Sequence, residues 1–157
     1  MKVKTRFEHR LDDLVVFLNG LAVMSFELKC NMAGQSYEDA IYQYRAERSP
    51  KTRLFLFKAG CLVNFAMDLN EVYMTTKLDG QSTFFLPFNM GNGEGVNAGK
   101  GNPTYEDKYS VYYMWDDILK KDTVIDLINR FIFLEIKEKE DDTVKSAYAK
   151  LKAHMTA

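Results

Sequence analysis

Two runs of apolar residues with a polar dipeptide between them dominate the hydrophobic pattern near the N-terminus. The runs are Leu14 to Leu18 and Leu21 to Phe26, and Asn19 and Gly20 separate them. Strand-favouring residues on both sides of Asn-Gly are the strongest short-range signal for a β-hairpin. The pattern therefore predicts two antiparallel strands joined by a tight turn.

Acidic residues stand at the open end of this hairpin, and the strand register decides which of them meet. Glu27 closes the second strand, whereas Asp12 and Asp13 precede the first. A two-residue loop places Asp12 opposite Glu27. A three-residue loop, with Gly20 in the left-handed conformation as a bulge, places Asp13 there instead, because a one-residue shift moves every side chain to the other face. In both registers Glu27 and Lys29 share a face, since they are two residues apart.

The remaining pattern alternates between helical and strand-like segments. Ser36, with Asp39 three residues later, is typical of a helix N-cap, and the apolar spacing that follows predicts a helix from Tyr37 to Arg48. A second amphipathic helix is predicted from Thr123 to Leu134, with Thr123 and Asp126 as its capping box and its apolar side on the sheet. Four strand-like runs are expected to extend the hairpin sheet in antiparallel order: Leu54 to Lys58, Cys61 to Asp68, Val72 to Lys77 and Thr83 to Phe88.

Three other segments lack a regular apolar pattern. Residues 1–11 are charged, and we expect a frayed lead-in there. Residues 90–103 are rich in glycine and asparagine and form a longer loop than compact domains usually contain. Residues 135–142 carry mixed charges without an apolar stripe, as solvated linkers or helices do. We therefore predict one domain over residues 1–134, followed by a charged linker or helical tail over residues 135–157.

Composition agrees with a single globular domain, because 46% of the 157 residues are hydrophobic. The formal net charge is −1, so any nucleic-acid contact must come from a local patch rather than from an overall positive field. Cys30 and Cys61 supply neither a disulfide framework nor a zinc-site spacing. The chain has no signal-peptide pattern and no long uninterrupted apolar stretch. We expect a soluble protein of the reducing cytoplasm that does not bind a membrane.

The acids and the lysine of the hairpin are the strongest candidates for a chemical site. Two carboxylates and one main-chain carbonyl, that of Leu28, are the hard oxygen ligands that Mg²⁺ prefers, and they leave positions for water and a phosphate. Such an ion lowers the pKa of an attacking water and neutralises charge on the phosphate. Lys29 is a compact charge that can hold the scissile phosphate. On spacing alone, the ordinary interpretation as polar hairpin ends has the greater weight, because short motifs often match by chance.

The run D-L-V-V-F-L-N-G, followed by E-L-K, resembles the PD-(D/E)xK nuclease core of the restriction (R) subunit of type I restriction-modification enzymes. The similarity continues through EDAIYQYRAERSP, NFAMDLNEVYMTTKL and FFLPFNMGNGEG, across most of residues 9–136. It implies an α/β fold with a mixed sheet flanked by helices, and Mg²⁺-dependent cleavage of double-stranded DNA in which Mn²⁺ can substitute. The family's two acids fall on Asp13 and Glu27, and its lysine falls on Lys29. Asp12 stands where the motif has proline and remains a rival ligand.

The resemblance also implies accessory residues and partners. Gln43 matches the glutamine of the family's Q-x-x-x-Y element, which helps to position DNA and the active site, although Glu47 stands at the tyrosine position. Gln43 and Arg45 are therefore candidates for DNA contacts, while Tyr44 is expected to pack. In the family this domain precedes an ATP-driven motor and joins methylation and specificity subunits. No phosphate-binding loop motif occurs here, so ATP would act only through motor domains absent from this chain, and we expect a fragment of a larger protein.

Two alternatives to a type I restriction nuclease remain open at this point. The first is a stand-alone nuclease with the same core that acts in repair or recombination. The second is a non-catalytic interaction domain that has kept the fold, and its carboxylate pair would not bind a metal ion.

Overall fold

The computed structural model describes residues 2–3, 14–92, 96, 100–130 and 132. In this part of the chain, six strands form one mixed sheet with helices on both faces. In spatial and chain order the strands are β1 (Lys2–Val3), β2 (Leu14–Leu18), β3 (Leu21–Leu28), β4 (Val63–Met67), β5 (Val72–Thr75) and β6 (Leu86–Pro87). The helices are α1 (Tyr37–Ala46) and α2 (Lys121–Arg130), with a 3-10 turn at Asn31–Ala33 and a π-helical segment at Met114–Ile118. The predicted α/β class, a mixed sheet flanked by helices, is confirmed at this level.

The turn between β2 and β3 forms at Asn19 and Gly20, as the dipeptide predicts. Leu18 pairs with Leu21, so two residues make up the loop. Both loop residues have positive φ, 50° for Asn19 and 85° for Gly20. Asparagine and glycine tolerate this left-handed conformation, which matches the twist of the flanking strands.

A β-bulge interrupts the hairpin a short distance from the turn. Phe17 pairs with Ala22, but the next residue of β2, Val16, pairs with Met24. Val23 is therefore an extra residue on β3, and the register beyond it is shifted by one. Neither predicted register is correct along the whole hairpin. The two-residue loop sets the pairs from the turn to Phe17, and the pairs beyond Val23 are shifted by one residue.

The two faces of the sheet have separate hydrophobic cores. On one face, apolar residues of β3 and β4 pack against α2 and the segment around Met114, in a cluster that includes Met24, Phe26, Phe65 and Val124. On the other face, Ala66 of β4 packs against α1 in a smaller cluster that includes Ala40, Tyr44, Phe55 and Phe85. The predicted packing of the second amphipathic helix on the sheet is thus confirmed.

Helix α1 begins with the predicted capping box. The Ser36 Oγ accepts a hydrogen bond from the backbone N–H of Glu38 at 3.2 Å, and the backbone N–H of Ser36 donates to the Asp39 carboxylate at 2.8 Å. These bonds satisfy donors that a helix N-terminus otherwise leaves unpaired. The helix ends at Ala46, two residues before the predicted end at Arg48.

The direction of β4 differs from the prediction. It runs parallel to β3, with Met24 beside Val63, whereas all other neighbouring strands of this sheet are antiparallel. The reason is that the chain leaves β3, crosses over through α1, and returns to the starting end of β3 before β4 begins. Parallel neighbours require such a crossover, and hydrophobic patterning alone does not show it.

Several predicted boundaries also change. Leu54 to Lys58 is a set of turns rather than a strand, closed by a 2.7 Å hydrogen bond from Cys61 N to Leu54 O. Lys2–Val3 pairs with β2 instead of fraying. Helix α2 begins at Lys121, so Thr123 is not its N-cap. Residues 135–157, predicted as a charged tail, lie outside the described residues. No helix in the described ranges is long and apolar enough to cross a membrane.

Replacement of Gly60 by alanine is expected to destabilise the domain. A Cβ at this position would lie 2.2 Å from the Leu54 carbonyl oxygen, and backbone cannot move aside as a flexible side chain can. Overpacking of this kind costs about 1–3 kcal/mol. Urea denaturation would measure the loss, with Ala59→Ser on the same exposed loop as the control, which should change the free energy of unfolding by less than about 0.5 kcal/mol. Equal stability of Gly60→Ala and wild type would contradict the described loop.

Candidate active site

A row of polar side chains on one face of β3 lies under α1. Ser25, Glu27 and Lys29 alternate with apolar residues of the other face, as residues two apart on a strand must. Ser25 and Glu27 are fully buried, and Lys29 is half-buried. Each of the three has a hydrogen-bonding partner outside β3, so the row joins the strand to the elements around it.

Ser25 belongs to a buried hydrogen-bonded group. Its Oγ donates to the Asn64 Oδ1 at 2.8 Å and lies 2.9 Å from the Tyr44 hydroxyl. Tyr44 is fully buried, which confirms that it packs rather than faces solvent. Because unsatisfied polar atoms are costly in a protein interior, these bonds hold α1, β3 and β4 in one relative position.

Glu27 forms a buried ion pair with Arg48, just beyond the C-terminus of α1. The Nε and Nη2 of Arg48 lie 2.6 and 2.5 Å from the Glu27 Oε1. The two side chains are 7% and 0% exposed, so both charges are withdrawn from water. Charge-assisted bonds of this length are strong, and they offset a large desolvation cost.

Lys29 meets Gln43 of α1. The Lys29 Nζ donates to the Gln43 Oε1 at 2.5 Å, and the backbone N–H of Lys29 donates to the Met67 carbonyl of β4 at 2.9 Å. The structure thus brings together the lysine at the end of the hairpin and the glutamine that the family resemblance selected. A glutamine oxygen in this position limits the orientations that the lysine ammonium can take.

The other predicted residues have different surroundings. The Nε and Nη2 of Arg45 donate to the Thr83 carbonyl at 3.1 and 2.9 Å, so Arg45 holds the segment after β5. Leu28 pairs with Met67 of β4. Asp12 and Asp13 lie outside the described residues. The DNA contact predicted for Arg45 and the metal contact predicted for the Leu28 carbonyl stay predictions.

The described residues supply part of an oxygen donor set for Mg²⁺. They contain no cluster of three or more histidine, cysteine, aspartate or glutamate side chains that could hold a metal ion. They do contain a buried carboxylate, Glu27, beside the main-chain oxygen of Leu28 at the end of β3. Hard oxygens of these two kinds suit Mg²⁺, and the predicted partner acid precedes β2.

Asp68 is a second buried carboxylate near this end of the sheet, and the sequence analysis missed it. Its oxygens accept hydrogen bonds from the backbone N–H groups of Tyr37, Asn70 and Glu71 at 3.0, 2.7 and 2.9 Å, and from the Asn31 side chain at 3.0 Å. These donors surround both oxygens. Asp68 therefore fastens the start of α1 to the end of β4, and so places the helix that carries Gln43.

The glycine-rich loop is fastened to the sheet at both of its ends. The Asn102 side chain accepts from Met90 N at 2.8 Å and donates to the Asn70 carbonyl at 2.7 Å. The Tyr113 hydroxyl donates to the Phe88 carbonyl at 2.7 Å. Burial raises the pKa of Tyr113 to about 12, which extends to higher pH the range in which its phenol is a protonated donor.

Sequence reasoning also overlooked Arg48 and Ser25, although each left a signal. Ser25 is a polar residue within an apolar strand, at even spacing from Glu27 and Lys29. Arg48 follows the buried Tyr44 by four residues, a spacing that places side chains on the same side of a helix. A buried carboxylate needs a paired positive charge, and Arg48 is a cation whose spacing allows it to pair with Glu27.

Comparison with known protein families found a match to the family model described as type I restriction enzyme R protein N terminus. The match covers residues 2–83, just over half of the chain, and includes the polar row together with Gln43, Arg48 and Asn64. No curated protein and no solved structure matched the chain.

Replacement of Arg48 by methionine is expected to destabilise the domain by about 3–5 kcal/mol, because it leaves the buried Glu27 carboxylate without this counter-charge. Addition of Glu27→Gln to that variant should recover part of the loss. Thermal or urea unfolding would measure both effects.

The matched control for Arg48 is Arg130, whose pair with Asp126 has an Nε–Oδ1 distance of 2.7 Å but side chains that are 72% and 49% exposed. Arg130→Met should change stability by less than about 0.5 kcal/mol, because water already solvates this pair. Equal losses in Arg48→Met and Arg130→Met would show that burial does not set the contribution of the Glu27 pair.

Proposed function

The chain belongs to the family of type I restriction enzyme R protein N termini, and from this membership we propose that it is a Mg²⁺-dependent endonuclease domain with a PD-(D/E)xK core, cleaving phosphodiester bonds of double-stranded DNA. One observation carries the proposal. Glu27 lies on β3, Lys29 follows the end of this strand, and Gln43 of α1 accepts a hydrogen bond from Lys29. An acid, a lysine and a glutamine with these spacings are the residues that the nuclease resemblance selects.

The proposed metal ligands are Asp13, Glu27 and the Leu28 carbonyl. The register of the hairpin supports the choice of Asp13 over Asp12. The last described pair of β2 and β3 is Leu14 with Phe26, and Asp13 and Glu27 are the next residues of the chain beyond that pair. Asp12 is one residue further from the pair in the sequence.

Each residue has a separate role in the proposed reaction. Mg²⁺, when bound, would activate the attacking water and neutralise charge on the phosphate. Lys29 would hold the scissile phosphate and stabilise the negative charge that develops there. Gln43 acts on Lys29, because its Oε1 fixes the direction of the ammonium. Arg48 supplies a counter-charge to Glu27 and keeps its carboxylate in a defined position within the domain.

We further propose that this domain acts as part of an R subunit in a restriction-modification complex. Methylation and specificity subunits would then be its partners, and ATP would be used by the motor domains of an R subunit. Recognition of a DNA sequence would lie with the specificity subunit.

A non-catalytic interaction domain is the second candidate function, and the Arg48 ion pair is the observation that favours it. An arginine that engages the Glu27 carboxylate supplies the positive charge that a metal ion would otherwise bring. In that case Glu27 would have a purely structural role. Metal binding separates the two candidates.

Titration of Mn²⁺ into the purified domain by calorimetry is expected to show binding. Asp13→Ala and Glu27→Ala should abolish it, because each removes a carboxylate ligand, whereas Asp12→Ala should keep it. Lys29→Met should bind Mn²⁺ normally but cleave plasmid DNA about 10²–10³-fold more slowly, since it removes a charge that acts on the phosphate. The exposed Lys120→Met is the control for lysine removal. No Mn²⁺ binding by the wild type would favour the interaction domain.

Replacement of Gln43 by methionine should slow plasmid cleavage about 10–100-fold at unchanged Mn²⁺ affinity, because Lys29 loses the oxygen that orients it. Gln43→Glu retains an acceptor and should keep most of the activity. The exposed Gln35, which precedes α1, provides the control variant Gln35→Met with expected wild-type activity. Equal loss of activity in Gln43→Met and Gln43→Glu would show that the cleavage rate does not depend on an acceptor oxygen at position 43.

A further inference from the structure

The loop between α1 and β4 is a local concentration of positive charge. Residues 49–61 contain Lys51, Arg53 and Lys58 but no acidic residue, in a chain whose net charge is −1. All three cationic side chains are exposed. The charge is therefore directed into solvent, unlike that of Arg48, which is buried against Glu27.

A fourth cation, Lys77, joins this loop from the far end of β5. The Lys77 and Lys58 Nζ atoms each lie 5.8 Å from the centre of the Phe57 ring, which is itself 44% exposed. Attraction between an ammonium and the face of an aromatic ring contributes to holding both charges there. We name this surface the basic patch; its members are Lys51, Arg53, Phe57, Lys58 and Lys77.

Backbone hydrogen bonds hold the loop in a defined conformation. Cys61 N donates to Leu54 O at 2.7 Å, and Gly60 N donates to Leu56 O at 2.7 Å. Phe55 is buried and packs edge-on against Tyr44 at 6.0 Å between ring centres. The charges of the basic patch are thus carried by an ordered loop, which lowers the entropy lost when a ligand binds.

Lys58 has a backbone conformation that lysine rarely adopts. Its φ is 71°, in the left-handed region that favours glycine. A residue that keeps such a conformation costs stability, and residues of this kind concentrate at functional sites. Glycine adopts this φ without strain, so the presence of lysine indicates a function of the side chain.

A groove of about 580 Å³ adjoins the basic patch. Arg53 and Lys58 line one side of it, and the hairpin tip, including Gly20, Leu21 and Val23, lines the other. The residues around the groove include two cations and no acid. Two cations without an acid favour an anionic ligand over a cationic one at this groove.

We propose that the basic patch binds the phosphodiester backbone of duplex DNA at a distance from the cleavage point. The proposal rests on the proposed function in that DNA is the substrate. The Leu62 N–H donates to the Val23 carbonyl, so the loop lies beside the start of β3, whereas Lys29 follows its end. The separation along the strand is about 20 Å. That is about six base pairs of B-form DNA, so one duplex can reach both places.

The contacts would be independent of DNA sequence. Lysine and arginine on phosphates position a duplex but do not read its bases. The basic patch would therefore hold any duplex that another subunit selects. The net charge of the chain is −1, so DNA binding requires a local positive surface. The basic patch is such a surface.

DNA binding by the whole 157-residue chain in EDTA tests the proposal without metal or cleavage. Fluorescence anisotropy of a labelled duplex of about 20 base pairs, measured at about 50–200 mM salt, gives the affinity and its salt slope. A triple variant with Lys51→Gln, Arg53→Gln and Lys77→Gln should bind at least about tenfold more weakly, with a salt slope reduced by about 0.9 for each lost phosphate contact. Asp79→Asn should bind more tightly, because Asp79 lines a cleft beside Lys77.

Lys58→Gly separates a binding role from a structural one. Glycine relieves the positive φ, so this variant should melt at the wild-type temperature or above it, yet bind DNA more weakly. The control for the triple variant removes the same charge from exposed residues elsewhere, with expected affinity within about twofold of wild type. Its substitutions are Lys120→Gln, Lys121→Gln and Arg130→Gln.

Four outcomes would overturn the proposal. They are no DNA binding by the wild type, equal weakening in patch and control variants, tighter binding of duplex RNA than of DNA, and equally effective displacement by polyglutamate. The Mn²⁺ titration is independent of these results. DNA binding through the patch without Mn²⁺ binding would remove the nuclease assignment alone, whereas cleavage with unchanged DNA binding in the triple variant would remove the patch alone.

Discussion

Glu27 and Arg48 place a negative and a positive charge in the space between β3 and the end of α1, where water is excluded. Neither charge is tolerated there alone, because desolvation of a single ion in a protein interior costs several kcal/mol. The two must therefore stay within hydrogen-bonding distance whenever the domain is folded. That requirement fixes the position of the C-terminal end of α1 over the sheet. It thereby restricts the position of the rest of the helix.

The neighbouring polar contacts add direction to this constraint. Apolar packing between Ala40 and Ala66 favours contact but would allow the helix to slide or rotate. Hydrogen bonds from Ser25 to Asn64 and between Ser25 and Tyr44 have preferred geometries, so they select one arrangement. The Lys29 ammonium meets a glutamine oxygen as a result of that selection. Stability and the geometry of the candidate site thus depend on the same layer of side chains.

Local signals in the sequence predicted the local structure well. Asn19 and Gly20 specify the turn, because few other residues accept two successive positive φ values. Ser36 and Asp39 specify the start of α1 through bonds within a single turn. The two apolar runs on either side of the turn identified both strands. Each of these features is decided by residues that are close together in the chain.

Features that depend on distant parts of the chain could not be predicted in this way. The parallel pairing of β3 with β4 follows from a crossover, and no local turn signal marks the bulge at Val23. The Phe55 region has strand-like composition, but tertiary packing against Tyr44 makes it a closed loop. In the candidate site, spacing selected Glu27, Lys29 and Gln43, whereas Arg48 becomes evident only once the burial of Glu27 is known.

The bulge at Val23 also limits how this hairpin can change in evolution. Side chains of a strand alternate between the two faces of the sheet. The extra residue Val23 therefore moves every later side chain of β3 to the opposite face from the one it would have without the bulge. Loss of one residue at the tip would turn Glu27 toward the apolar core and expose its apolar neighbours to α1. Related chains should therefore vary in hairpin length by pairs of residues, or exchange a bulge for a longer loop. Length parity in this segment is thus a constraint separate from the identity of any single residue in it.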